Sequence, residues 1–253
     1  MARIVSLVPS LTELCFDLGL GPEVVGRTEF CIAPADRVGA IPCVGGPGSV
    51  DPEKLAALAP THLLIGPEEN GPAGPALAAA CGALAVSAQP ERPEDNRALF
   101  RQLGALFGCE PRAEALVARL DAALAGAAAC RAATPVVKVL PLLWKAPWVS
   151  AGAGTYVAAM LAAVGMESVA PPRYPRLADL AAAAAGADWI LPASEPYPFS
   201  DAEIRELRRT LSRATVEPVD GEALAWYGSR AISALPALAA FKRRLLDRGG
   251  SRA

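Results

Sequence analysis

Hydrophobic positions along this chain form short unbroken runs that alternate with longer, periodically apolar stretches. The first strand, about 3–7, is apolar after Arg3 except for Ser6, as expected of a parallel strand buried on both faces. Ser10 and Glu13 follow at capping-box spacing, so the next stretch reads as a helix with Ser10 as N-cap, closed by Gly19 and Gly21. Further strands are predicted over 24–27, 40–44, 61–65 and 83–86. One helix is predicted to open at Asp51, where Pro52 and Glu53 complete a start signal, another to run from after Pro75 to Cys81, and a third over 93–107, ending at Gly108. Residues 66–75 read as a polar loop.

A long Ala-rich stretch over 112–131 reads as one helix, with no Pro between Pro111 and Pro135 and no Gly before Gly126. The alternation then restarts. A strand is predicted over 136–141, a loop over 144–154, helices over 155–164 and 177–185, and a strand over 188–191. A loop over 192–200 leads to a helix capped by Ser200 or Asp201, then a strand over 215–219, a loop over 220–230 and a terminal helix over 231–247. Strand–helix alternation in both halves predicts parallel sheets covered by helices. The expected fold class is α/β: two Rossmann-like lobes with mostly parallel sheets joined by one long α-helix. The first lobe is placed at 1–108, the backbone helix at 109–133 and the second lobe at 134–253. Two lobes on a stiff helix are the architecture of a ligand clamp with a cleft between lobes, moving by only a few degrees. Ligands of such sheets bind beyond the carboxyl ends of the strands.

Composition narrows the partners. The chain has 253 residues, 53% of them hydrophobic, enough for two cores. A net charge of −2 offers no basic face for a nucleic acid. No apolar run reaches the ~18 residues of a membrane helix. The six cysteines, Cys15, Cys31, Cys43, Cys81, Cys109 and Cys130, show no paired spacing and read mostly as buried reduced thiols. With the first strand beginning at Arg3 there is no room for a signal segment, so the chain as written is expected in the cytoplasm, or in the periplasm or on the cell surface had a signal been removed. A monomer is expected.

Aromatic residues concentrate in the loops that follow strand ends. Phe30, Trp144, Trp148, Tyr174, Tyr197, Phe199, Trp226 and Tyr227 all lie there, where loops are ordinarily polar. They can cap the sheets or form a ligand face, and the set as a whole favours a ligand face. Glu69, Glu195 and Arg230 accompany them as candidate polar contacts. No catalytic constellation is evident. His62 is the lone histidine, which leaves no His-rich metal cage, and it starts a predicted buried strand, where it reads as a packed or edge residue and not as the base of a Ser-His-Asp triad. The glycines of 45–49 lack the Lys-Ser/Thr of a phosphate loop. Gly152 and Gly154 open a helix that can hold an anion but lack the rest of a dinucleotide fingerprint. No metal site and no intrinsic cofactor are expected.

The chain resembles the substrate-binding proteins of the helical-backbone class, class III, which serve cobalamin and iron-siderophore ABC importers, and the cobalamin-binding branch most. The matching pieces run in order: residues 3–14 (Arg3 to Leu14), Val24 to Thr28, Val44 to Gly46, Asp51 to Leu55, Ser194 to Phe199, Asp220 to Glu222 and Trp226 to Arg230. The resemblance implies two lobes, one connecting helix, a large ligand held by aromatic rings, and no enzymatic activity. It places Glu53 and Asp179 where such proteins carry acids that dock on an ABC permease, a partner if the chain is exported. The expected function is non-enzymatic binding of cobalamin or a related corrinoid or metal chelate. Phe30, Trp144, Trp148, Tyr197, Trp226 and Tyr227 would pack on it, while Glu69, Glu195 and Arg230 would meet its amide edge. Three alternatives stay open: a cytoplasmic corrinoid or tetrapyrrole handling or sensing protein, an iron-siderophore binding protein, and an enzyme using a thiolate at Cys31 or Cys43 on a bound chelate.

Overall fold

The computed structural model describes residues 2–211 and 214–249. Two compact units emerge. The first holds residues 1–90, 95–118 and 227–230, and the second holds 91–94, 119–226 and 231–253.

In the first unit the order is β1 (Ile4–Ser6), α1 (Pro9–Asp17), β2 (Val24–Arg27), α2 (Ala35–Val38), β3 (Gly45–Gly46), β4 (Ser49–Val50), α3 (Pro52–Ala57), β5 (His62–Ile65), α4 (Pro67–Asn70), α5 (Ala73–Ala80), β6 (Leu84–Ser87) and α6 (Asn96–Phe107). Helix α7 (Glu110–Ala133) follows, giving its first turns to this unit and the rest to the second. The sheet has the order β2-β1-β5-β6 and every pairing in it is parallel. Its core is Val5, Leu63 and Ile65 from the strands and Leu7 just after β1, with Leu55 and Ala78 from the helices. These are the unbroken apolar runs of the sequence, because a strand covered on both faces has no polar side.

In the second unit come β7 (Val137–Trp144), β8 (Trp148–Ser150), α8 (Tyr156–Ala163), β9 (Met166–Ser168), β10 (Arg176–Leu177), α9 (Leu180–Ala184), β11 (Trp189–Pro192), α10 (Asp201–Thr210), β12 (Thr215–Val216), α11 (Gly221–Ala225) and α12 (Arg230–Gly249). Strands β9, β7, β11 and β12 pair in parallel, while β8 and β10 add antiparallel pairings. Leu140, Leu142, Ile190, Ile204, Leu207 and Val216 anchor its core. The architecture is the predicted α/β one, with two units, mostly parallel sheets and one long helix.

Local differences from the sequence reading have physical causes. Helix α1 begins at Pro9 with Val8 at the N-cap and no side-chain cap, because proline at N1 already has a helical φ. Ser10 is therefore inside the helix and Glu13 is not its capping partner. The predicted loop 66–75 holds α4 and part of α5, since Pro67 with Glu68 and Glu69 in the first turn is itself a helix start. The predicted strand 40–44 reduces to a bridge between Arg27 and Cys43, because Pro42 has no N–H to give a ladder. The loop 144–154 is a hairpin that puts Trp144 and Trp148 at strand ends. The loop 220–230 contains α11, capped by Asp220, whose carboxylate accepts from the Ala223 amide at 3.2 Å. At Gly108 the backbone turns left-handed (φ +67°) to close α6, a conformation in which any side chain costs energy.

Candidate functional site

The second unit gathers four of the predicted rings. Trp144 ends β7 and Trp148 begins β8, while Tyr197 and Phe199 lie between β11 and α10. Trp144 and Tyr197 meet edge to face at 5.4 Å between centroids, as do Tyr197 and Phe199 at 4.8 Å. Phe199 and Trp148 lie nearly parallel, 6° apart, at 6.1 Å. The offset and edge-on geometries are the ones aromatic quadrupoles favour. Trp144 is 42% exposed, so the cluster shows open ring to solvent.

A polar layer fixes these rings. Ser200 caps α10, and Glu203 completes the capping box: its Oε2 accepts from the Ser200 amide at 2.9 Å and from Ser200 Oγ at 2.8 Å. Tyr197 donates to Glu203 Oε1 at 2.7 Å, and Lys145 Nζ stands 3.1 Å from the same oxygen and 3.2 Å from Glu206. The Lys145 ammonium also lies 5.8 Å from the Trp148 ring centre. One carboxylate thus joins the 144–148 hairpin to the 197–200 segment. The hydrogen bonds it receives from Ser200 and Tyr197 pull its acidity to about 2. In return the bond to Glu203 raises the Tyr197 phenol and the Lys145 ammonium above their ordinary values.

The first unit brings a second group together at the carboxyl end of its sheet. Glu69, on α4, folds back so that a Cβ on Gly66 would collide with Glu69 Oε2 and meet the Tyr227 hydroxyl at 3.1 Å. A side chain at position 66 would push the Glu69 carboxylate aside. Burial holds the Glu69 carboxyl above the usual range. Asn70 accepts from the Gly66 amide at 2.9 Å and donates to the Pro47 carbonyl at 3.2 Å. Tyr227 donates to the Ala88 carbonyl at 3.4 Å, and the Gly228 amide to Asn96 Oδ1 at 2.5 Å. Arg230 grips Glu13 with two contacts of 2.9 Å.

The remaining predicted residues are more scattered. Phe30 follows β2 and is 54% exposed. Trp226 and Tyr227 are buried, at 5% and 7%, because α11 carries the chain inward where an open loop was expected. The backbone of Glu195 packs on Gly221, where a Cβ would meet Glu195 N at 2.5 Å. Glu53 is exposed in the first turn of α3. Asp179 is exposed and caps α9, accepting from the Ala182 amide at 3.0 Å.

Of the six cysteines only Cys15, Cys31 and Cys130 are buried; Cys43 is exposed, and Cys81 and Cys109 are half-buried near helix ends. The reading of mostly buried thiols holds for half of them. Cys31 lies beside Thr28 (3.2 Å) and points at the Ser6 carbonyl (3.7 Å), and burial raises its pKa, the reverse of what a nucleophilic thiolate needs. His62 packs edge-on against Phe107 at 4.9 Å and shares a hydrogen bond with Thr61 at 2.8 Å. Among the described residues, no three His, Cys, Asp or Glu side chains gather as a metal cage.

Sequence reasoning overlooked Lys145, Glu203, Asn70, Asn96 and Glu13. For Glu203 a signal existed, the Ser200-to-Glu203 spacing of a capping box. Nothing local announces that Glu13 and Arg230 meet.

A comparison with curated protein sequences finds no match. Solved structures match over nearly the whole chain. The periplasmic heme-binding protein RhuT from Roseiflexus sp. RS-1 is 25% identical, with a TM-score of 0.78 over 94% of this chain and 97% of that one. The periplasmic vitamin B12 binding protein BtuF of Vibrio cholerae is 16% identical, with a TM-score of 0.81 over 96% and 97%. A periplasmic heme binding protein from Pseudomonas aeruginosa is 24% identical, with a TM-score of 0.81 over 94% and 91%. The family model described as periplasmic binding protein matches residues 4–210. With that match over most of its length, the chain belongs to the periplasmic binding protein family, the non-enzymatic substrate-binding proteins of ABC importers.

Proposed function

We propose that this chain binds a flat metal chelate of the tetrapyrrole kind, a corrinoid such as cobalamin first among them, and passes it on without reacting with it. The observation that carries this reading is the ring cluster of Trp144, Trp148, Tyr197 and Phe199, held by Glu203 at the surface of the second unit. Such a cluster offers wide, rigid stacking area at small entropic cost. The similar solved structures named for heme and for vitamin B12 agree on a metal-centred macrocycle and differ on which one. In this reading Phe30, Trp226 and Tyr227 add apolar contact, and Glu69, Glu195 and Arg230 meet polar edges of the ligand or hold its loops. Glu53 and Asp179, both exposed on helix starts, are the acids that meet an importer's permease. In that role the chain works outside the cytoplasmic membrane.

Calorimetric titration with cyanocobalamin tests the reading. The expected result is one-to-one saturation at micromolar ligand, weakened about tenfold by Trp144→Ala, which removes about 1–1.5 kcal/mol of stacking. An absence of heat and of tryptophan quenching with both cyanocobalamin and haemin overturns it.

A further inference from the structure

The ring cluster has an asymmetry in its one potential metal ligand. Tyr197 is the only ring of the four with an oxygen, and that oxygen is already committed. Its hydroxyl donates to Glu203 Oε1 at 2.7 Å, on the same carboxylate oxygen that Lys145 approaches to 3.1 Å. The second Glu203 oxygen is occupied by the Ser200 amide and hydroxyl, so the carboxylate cannot swing away without undoing the start of α10. To ligate a metal, Tyr197 would have to lose its proton and place a phenolate against a carboxylate. Lys145 is equally engaged, held as an ammonium by Glu203 and Glu206. The indoles and the phenyl ring have no lone pair to give.

We propose, resting on the ligand reading above, that this platform is a stacking and non-ligating surface that selects a chelate whose metal already has its axial positions filled, and that Glu203 is the positioning residue that enforces the selection. Haem iron with an open axial site is held in proteins by a His, Cys, Met or Tyr side chain. A haem lying on this platform would find rings and a spent phenol. A corrinoid bearing both axial ligands loses nothing there, since it needs only stacking area and partners for its amides. The hydrogen bond to Glu203 thereby turns Tyr197 from a ligand into a contact.

The test uses the full chain with haemin and with cyanocobalamin, in the wild type, Tyr197→Phe and Glu203→Gln. Cyanocobalamin is expected to bind at least about tenfold more tightly than haemin. The haemin spectrum is expected to lack a phenolate-to-iron charge-transfer band. Tyr197→Phe, which keeps the ring, is expected to change neither affinity by more than about threefold. Glu203→Gln removes the charged acceptor, and haemin affinity relative to cyanocobalamin is expected to rise about tenfold, with a phenolate band growing in as pH rises. A phenolate band in the wild type that disappears in Tyr197→Phe overturns the inference and leaves the ligand reading standing, as does haemin affinity equal to cyanocobalamin affinity. Binding of neither compound overturns both.

Discussion

Lys242 shows how a single residue can run against its surroundings. Its side chain is fully buried, and its Nζ has no hydrogen-bond partner among the described residues. The amine lies against Gly165, where a Cβ would come within 2.6 Å of it, and the titratable groups that face it are the Arg131 guanidinium and the Cys130 thiol on α7. Burial lowers its pKa. The unfolded chain therefore binds more protons than the folded one between the depressed value and the ordinary 10.5, and stability climbs with pH across that window. Lys242→Met fills the same space without the amine. It is expected to stabilise the protein by about 1–3 kcal/mol at neutral pH and to flatten that slope, as measured by urea denaturation at a series of pH values from neutrality up to the ordinary 10.5. The position was legible in the sequence: Leu235, Leu238, Lys242 and Leu245 lie on one helical stripe. The identity misleads, because Lys242 with Arg243 and Arg244 reads as a solvated face. Aromatic positions behaved alike. That Trp144 and Tyr197 lie near strand ends was readable, whereas the burial of Trp226 was hidden by a five-residue helix too short to leave a period.

At the scale of elements, buried strands were the most legible part, since β1, β5 and β11 are nearly all apolar in sequence, broken only by Ser6 and His62. Short helices such as α4 and α11 were not, because their start signals are also turn signals. Helix α10 is the element whose start matters most to the candidate site. Its capping box sets Glu203, and Glu203 ties down Tyr197 and Lys145. The Glu203 carboxyl is held at about 2 against an ordinary 4.5. A carboxyl lowered on folding contributes stability that is complete above the unfolded value and is lost as pH falls through the folded one. The ring cluster is therefore expected to keep its near-ultraviolet circular dichroism down to pH 4.5 and to lose it as pH falls toward about 2. In Glu203→Gln the signal is expected to be weaker at neutral pH and flat across that range. An acid transition of unchanged shape in the variant would mean that another carboxyl controls the cluster.

Across the whole molecule, the two-part α/β plan was legible from the repeated alternation, but the membership of the units was not. Residues 227–230 come late in the chain and belong with the first unit. They are held there by Tyr227 on the Ala88 carbonyl, Gly228 on Asn96, and Arg230 on Glu13, 217 positions away in sequence. Side-chain periodicity carries no information about such a closure. The Arg230–Glu13 pair is bidentate, with side chains only 22% and 19% exposed. Arg101 and Glu114 form a pair of the same chemistry in the same unit, bidentate at 2.6 and 3.0 Å, but 53% and 56% exposed. Water screens the second pair and not the first, so the two separate burial from bonding. Arg230→Met is expected to destabilise the protein by about 2–3 kcal/mol because it removes the bidentate partner of a largely buried carboxylate. Arg101→Met is expected to cost about 0.5 kcal/mol. Glu13→Gln combined with Arg230→Met is expected to cost less than the sum of the two single changes, since both remove the same shared contact. Urea midpoints of the four variants measure this. Equal losses for Arg230→Met and Arg101→Met would show that the first unit does not depend on the 227–230 segment for its closure.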